Sequence, residues 1–299
     1  MAVSASRGEL QIAGQAVYGA RVGRKAVFLD VDGTFVNDRG VVPPSAREAV
    51  VAARANGHKV FLCTGRSMDQ LWDEIMAPGF DGVIASAGGY VEYQGKVLLH
   101  RSVPVEEVRH VVEFFDRNGV EYLLESNSGL YGSRRAKERL RELIFAGVTD
   151  EDILAELEKG LGGFIDSVIV HPYPVRDDVN KVSFLDSHLT IERIRAEFEG
   201  AFTVTHATVP MFGPNSGEMS IPGIHKATAI ELLIGHAGIA LEDTIAYGDS
   251  LNDIEMLQFV GTGVAMGNAR PALLDVADLV TADADHDGIL LSFRDLGLV

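Results

Sequence analysis

Ala26-Val27-Phe28-Leu29-Asp30-Val31-Asp32-Gly33-Thr34 decides the fold. Four apolar residues in an unbroken run read as a strand buried on both faces, the pattern of a parallel sheet. Two carboxylates, Asp30 and Asp32, then emerge at its C-terminal end, the edge where open α/β sheets place their ligand sites. Side-chain alternation with period two puts both on the same side of the chain. Carboxylates placed together repel unless a cation or a shared proton separates them. The pair therefore suits a hard metal ion, acid/base work, or both; the local alternative is an ordinary Asp-Gly turn.

Outward from this strand the chain alternates. Ser45 with Glu48 has the capping-box pattern for a helix that closes at Gly57. Lys59 to Cys63 is the next strand, and Ser67 with Gln70 opens a second helix through about Met76. Asp81 to Ser86 holds a third strand. This βαβαβ rhythm implies a parallel sheet with right-handed crossovers. After Gly89 the rhythm changes to a hairpin around Gln94-Gly95, followed by helices mixed with short strands. The βα rhythm returns near Ile224, with a helix from Lys226, a strand at Thr244 to Tyr247 and a helix from Leu251 to Phe259. The expected fold class is α/β, a Rossmann-like parallel-sheet core with an inserted α+β domain. Residues 24–89 and 218–299 make the core, residues 90–217 the insertion, and residues 1–23 a tail outside the fold.

Composition narrows the function. The chain has 299 residues, 46% hydrophobic and 23% charged, an ordinary globular mixture large enough for two domains. A formal net charge of −17 argues against nucleic acid as a partner. No run approaches the ~18 apolar residues of a membrane span, so no membrane partner is expected. Cys63 is the only cysteine, so no internal disulfide can form, and a reducing, cytoplasmic setting is expected.

Three further places carry chemistry. Thr64-Gly65-Arg66 leaves the second strand on the same sheet edge as Asp30, where a hydroxyl, a flexible backbone and helix N–H groups favour an anion; the alternative is a plain strand-to-helix turn. Lys226 stands at a helix start, against the macrodipole, where a phosphate or simple solvent exposure would explain it. Gly248-Asp249-Ser250-Leu251-Asn252-Asp253 follows another strand, and Asp249 and Asp253, four apart, share a helix face as metal ligands or as caps. Asp283-Ala284-Asp285-His286-Asp287-Gly288 matches half of an EF-hand loop, but its twelfth position is Arg294 where a bidentate Glu is required, so a solvated acidic loop is expected there.

In this order the four pieces resemble the haloacid dehalogenase-like hydrolases: Asp30 to Thr34, then Thr64, then Lys226, then Gly248-Asp249 through Asn252-Asp253. Gly267-Asn268-Ala269, Ala277-Asp278 and Asp287-Gly288 look like the Cof-type subgroup, which carries a large α/β cap. The resemblance spans about residues 25 to 295. It implies that Asp30 is a nucleophile that becomes phosphorylated and Asp32 the general acid and base. It implies Mg²⁺ held by Asp30, the Asp32 carbonyl and Asp249, with Asp253 nearby. Thr64, Gly65, Lys226 and Asn252 would bind the phosphoryl group. Two positions depart from the pattern: Ala87-Gly88 stands where Asn-Gly is usual, and Ala227 where Gly is common.

The function so implied is a Mg²⁺-dependent phosphatase of small phosphorylated metabolites, such as sugar phosphates, nucleotides or cofactor phosphates. The alternatives are a phosphosugar mutase with the same nucleophile and a non-catalytic phosphate-responsive binding protein. The substrate, the cap residues that select it and the oligomeric state are not legible in the sequence.

Overall fold

The computed structural model describes residues 23–207 and 212–299, and in one helix leaves aside the side chains of residues 152, 153, 156, 157, 159 and 160. The expected tail, but for Gly23, lies outside the described residues.

The strand that opened the reading, β1 (Ala26–Leu29), lies inside an eight-stranded sheet. Its neighbours are β2 (Lys59–Cys63) and β12 (Thr244–Gly248), both parallel to it. Beyond them lie β3 (Gly82–Ala85) on one side and β13 (Thr262–Ala265) with β14 (Leu279–Val280) on the other. Alternation sends Val27 and Leu29 to one face, packed with Ala49, Val50 and Ala53 of α1 (Pro44–Ala55) and Ile289 and Phe293 of α10 (Gly288–Asp295). Ala26 and Phe28 face the other layer, with Ile230 and Leu233 of α7 (Lys226–Ala237) and Met256 and Leu257 of α8 (Ile254–Phe259). The Phe28 and Phe61 rings stack with centroids 4.9 Å apart. Burial on both faces leaves the strand ends as the place where polar groups emerge.

A second, six-stranded sheet runs β10-β11-β9-β6-β7-β8 and is antiparallel except for the β7·β8 pair. It contains β6 (Glu121–Ser126), β7 (Gly129–Gly132), β8 (Ile169–Val170), β9 (Val179–Leu185), β10 (Thr203–His206) and β11 (Gly217–Ser220). One face packs on α3 (Val105–Asn118) and α6 (Ile191–Glu197). The other carries Leu123, Leu130 and Leu185 against α4 (Ala136–Ile144) and α5 (Glu151–Ser167). The fold is thus α/β, a mainly parallel core sheet with a second, mixed sheet forming a cap.

Several expectations change. The hairpin β4 (Tyr90–Tyr93) and β5 (Lys96–His100) belongs to the larger sheet, because β4 pairs antiparallel with β3 directly across a short turn. Residue 90 therefore does not begin the inserted sheet; that sheet starts with β6 and ends with β11. Gly217-Glu218-Met219-Ser220 lacks the branched residues that mark a strand, yet forms β11 between β9 and β10. Ser45 does not cap α1; Pro44, with its preset φ, occupies the first turn instead. The helix expected from Ser67 stops after a 3₁₀ turn, Met68–Gln70, and resumes as α2 (Asp73–Met76). The Gln70 carbonyl, which a continuing helix would use, accepts from Arg66 Nη1 at 3.1 Å. In the acidic loop, Asp283 caps the turn at His286, and α10 follows where no helix was expected.

The chain leaves β3 through Ser86 and Ala87, both at φ +52°. Gly88, at φ +109°, follows; a Cβ there would stand 2.6 Å from the His225 carbonyl oxygen. Opposite signs are expected at adjacent positions. Ala87→Gly relieves a left-handed strain of about 1–2 kcal/mol, partly offset by chain entropy, and raises stability by up to about 1 kcal/mol. Gly88→Ala lowers it by more than about 1 kcal/mol. Urea denaturation of both variants checks this; a stabilising Gly88→Ala contradicts the close approach.

Candidate active site

The C-terminal ends of β1, β2 and β12 converge with the first turn of α7. Lys226, the first residue of α7, is 1% exposed. Its Nζ donates to Asp30 Oδ1 at 2.6 Å and to Asp253 Oδ1 at 2.5 Å. Solvent exposure is thereby excluded as the reason for a lysine at a helix start. Both oxygens of Asp253 are engaged, since its Oδ2 also accepts the backbone N–H groups of Asp249 and Ser250, each at 3.1 Å. It anchors both Lys226 and the turn that presents Asp249.

Asp249 approaches from β12 over Gly33. Gly33 has φ +79°, and a Cβ on it would stand 2.3 Å from Asp249 Oδ2. Only glycine allows both the turn and the approach. Asn268 Nδ2 donates to the Gly33 carbonyl at 3.0 Å and lies 3.5 Å from Asp249 Oδ2. Asp249 Oδ1 is buried with no hydrogen-bond partner among the described residues. Thr64 is fully buried at the end of β2, its Oγ1 accepting from Arg66 N at 3.1 Å, which leaves the hydroxyl hydrogen to donate elsewhere. Asn252 Nδ2 stands 3.7 Å from the point where a side chain on Gly65 would begin.

Oxygens of Asp30, Asp249 and Asp253 lie within 4.8 Å of one another. Burial raises the Asp30 carboxyl well above its usual range; Lys226 opposes this, and Asp253, Asp249 and Asp32 add to it. Burial likewise pushes Asp249 up to about 7, with Asp253 raising it further and Lys226 opposing. Burial works against the Lys226 charge, but Asp253 and Asp30 together outweigh it and hold its pKa above the ordinary value. Three carboxylates and one ammonium leave an excess of two negative charges when all are ionised. A hard divalent cation fits that excess, the all-oxygen donor set and the orphaned Asp249 Oδ1. Asp30 and Asp249 are the residues free to hold it.

Asp32 is placed differently from its neighbour. Its side chain is 62% exposed and paired with Arg66, outside the group that gathers around Asp30. The structure thus brings together Asp30, Lys226, Asp249 and Asp253, with Thr64, Gly65 and Asn252 on the same sheet edge. The Arg66–Asp32 pair, the Asn268 contact and the anchoring part of Asp253 were missed. Asn268, just beyond β13, lies in the Gly267-Asn268-Ala269 stretch that looks like the subgroup, a resemblance that implied no contact at the site; the Arg66 pairing has no such signal.

The sequence pattern described as haloacid dehalogenase-like hydrolase matches residues 27–292. The chain belongs to that family. Its Cof-type subgroup accounts for the mixed cap sheet. The chain is 26% identical over 277 residues to phosphatase YwpJ of Bacillus subtilis, covering 89% of this chain and 97% of that one. It is 25% identical over 277 residues to the pyridoxal phosphate phosphatase YbhA of Escherichia coli, covering 89% and 96%. Among solved structures, the subclass IIB sugar phosphatase BT4131 superposes with a TM-score of 0.71 at 26% identity, covering 92% of this chain and all of that one.

The raised carboxyls give a pH-dependent response to metal. A carboxyl with a folded pKa above its unfolded value costs stability progressively as pH rises from about 4 towards about 7. A divalent cation such as Mg²⁺ would favour the ionised form and would have to displace a proton at lower pH. Saturating Mg²⁺ is expected to raise Tm more at pH 7.5 than at pH 5. Thermal unfolding with and without chelator checks this, and an equal or larger increment at pH 5 contradicts it.

Proposed function

We infer that this protein is a Mg²⁺-dependent phosphoric monoester hydrolase acting on small phosphorylated metabolites through an aspartyl phosphate on Asp30. The observation that carries the reading is the buried Asp30 carboxylate, held at one oxygen by Lys226 beside the unsatisfied Asp249. With Oδ1 held, Asp30 Oδ2 is the oxygen that attacks phosphorus. Lys226, the Thr64 hydroxyl, the Gly65 N–H and Asn252 neutralise and orient the phosphoryl oxygens as charge spreads over them. Asp32 donates a proton to the leaving oxygen, then accepts one from the water that cleaves the acyl phosphate. Asp30, Asp249 and the Asp32 carbonyl, with Asp253 behind them, would hold Mg²⁺, which would supply positive charge against those oxygens.

Hydrolysis is favoured over the mutase alternative because the relatives named above are phosphatases, and over the binding-protein alternative because a second aspartate, two residues from the nucleophile, is exposed to take a proton from water. The cap supports a small substrate. Its β6–β7 turn reaches the core turn after Thr64, where Asn127 Oδ1 accepts from Met68 N at 3.4 Å. A lid over the strand ends favours metabolites over phosphoproteins or polynucleotides. The core recognises phosphate, and the cap sets the rest; sugar phosphates and cofactor phosphates are the classes to test first. We propose the cap between the hairpin at 90–100 and the helix start at 226.

Asp30→Asn removes the attacking charge and is expected to lower turnover of an aryl phosphate to background, while Asp249→Ala raises the Mg²⁺ concentration needed for half-maximal rate at least about tenfold. A steady-state assay checks both. More than a few per cent of wild-type activity in Asp30→Asn, or full activity after exhaustive chelation, overturns the reading.

A further inference from the structure

We propose that Arg66 is a positioning residue for Asp32: its guanidinium fork fixes where the proton donor stands relative to the leaving oxygen. The inference rests on the phosphatase reading above. Arg66 Nε donates to Asp32 Oδ2 at 2.9 Å and Nη2 to Asp32 Oδ1 at 2.7 Å, two parallel bonds that hold the plane of the carboxylate. The arginine is itself held on three sides. Nη1 donates to the Gln70 carbonyl at 3.1 Å, and the guanidinium lies over the Trp72 ring, 4.2 Å from its centroid. Its backbone N–H donates to Thr64 Oγ1, and its carbonyl accepts from Ser86 N at 2.7 Å.

The two partners are unequal. The Arg66 side chain is 17% exposed and Asp32 62%. An exposed carboxylate on a tight turn would otherwise sample many positions, so a rigid cation beside it decides which one it takes. The break in the helix after Gln70 serves this arrangement, since it frees the carbonyl that Arg66 uses and extends the chain at Trp72 for the ring to lie under the guanidinium. The same turn carries Met68, whose N–H meets Asn127 of the cap. One turn therefore touches the phosphate-side threonine, the acid/base aspartate and the cap. A lysine would keep the charge without the fork or the planar stack.

The consequence is specific to proton donation. Departure of a weakly basic phenolate needs little help from an acid, whereas departure of a more basic one depends on a well-placed proton. A residue that positions the acid affects the second far more than the first. The experiment measures kcat/KM for a series of aryl monophosphates of similar size, from 4-nitrophenyl to phenyl phosphate, with wild type, Arg66→Gln, Arg66→Lys and Trp72→Leu. In Arg66→Gln, kcat/KM for phenyl phosphate is expected to fall at least tenfold further than for 4-nitrophenyl phosphate, with the extra loss in kcat. Arg66→Lys is expected to show the same dependence. Trp72→Leu, which leaves the arginine in place, is expected to tilt the series the same way by a smaller factor, and it decides the matter if the Arg66 variants do not fold. An equal loss across the series, restoration by lysine, or a loss confined to KM overturns the inference while leaving the phosphatase reading intact. Absence of wild-type turnover on every member overturns the reading and this inference with it.

Discussion

The ammonium of Lys226, closed off from solvent between the carboxylates of Asp30 and Asp253, is the constraint around which the core is organised. Removing such charges from water costs several kcal/mol each, and only close, complementary partners offset it. Taking away one partner of a buried pair typically costs about 3–5 kcal/mol. Lys226 therefore ties together three separate pieces of chain: the end of β1, the start of α7 and the turn after β12. Each is individually a loop at a strand or helix end. Joined through one nitrogen, they become a rigid floor on which a phosphoryl group can be held.

That floor is deliberately incomplete in charge. Asp253 has both oxygens engaged internally, on Lys226 and on two backbone N–H groups. Asp249 does not, and one of its oxygens is buried with nothing to meet. The contrast separates two carboxylates that look alike as sequence. One holds the architecture in place, and the other keeps a buried oxygen that a cation could meet. Pre-organisation of this kind is what makes a site effective, because the groups need not reorganise when charge develops on the substrate.

Much of this was legible in advance for physical reasons. The unbroken apolar run before Asp30 could only be a doubly buried strand, and β1 is buried at every position. The strand-end positions of Thr64 and Asp249 and the helix-start position of Lys226 followed from the same alternation of strands and helices. What escaped was set by contacts between distant residues. The hairpin at 90–100 reads locally as a hairpin, but nothing in it says which sheet it will join. Ser45 and Glu48 satisfy a capping pattern that Pro44 overrides. Arg66 and Asp32 are 34 residues apart, and their pairing depends on a helix breaking where its sequence favours continuing. The substrate is the least legible of all, since it is selected by cap surfaces whose relation to the core is purely three-dimensional.

The bond between Lys226 and Asp30 spans 196 positions in the chain, whereas every strand of the smaller sheet comes from one uninterrupted stretch, from β6 to β11. On a ribosome these are very different tasks. The stretch that makes the smaller sheet emerges whole and can pair within itself while synthesis is still under way. Of the strands described, β1 is made before all the others and must wait for β12 before its second edge is covered. Until then one edge of β1 is uncovered, and non-local pairing of this kind is intrinsically slow. Chain order thus delays assembly of the Asp30 cluster until β12 is made, and leaves the larger sheet, rather than the smaller one, with an uncovered strand edge during synthesis.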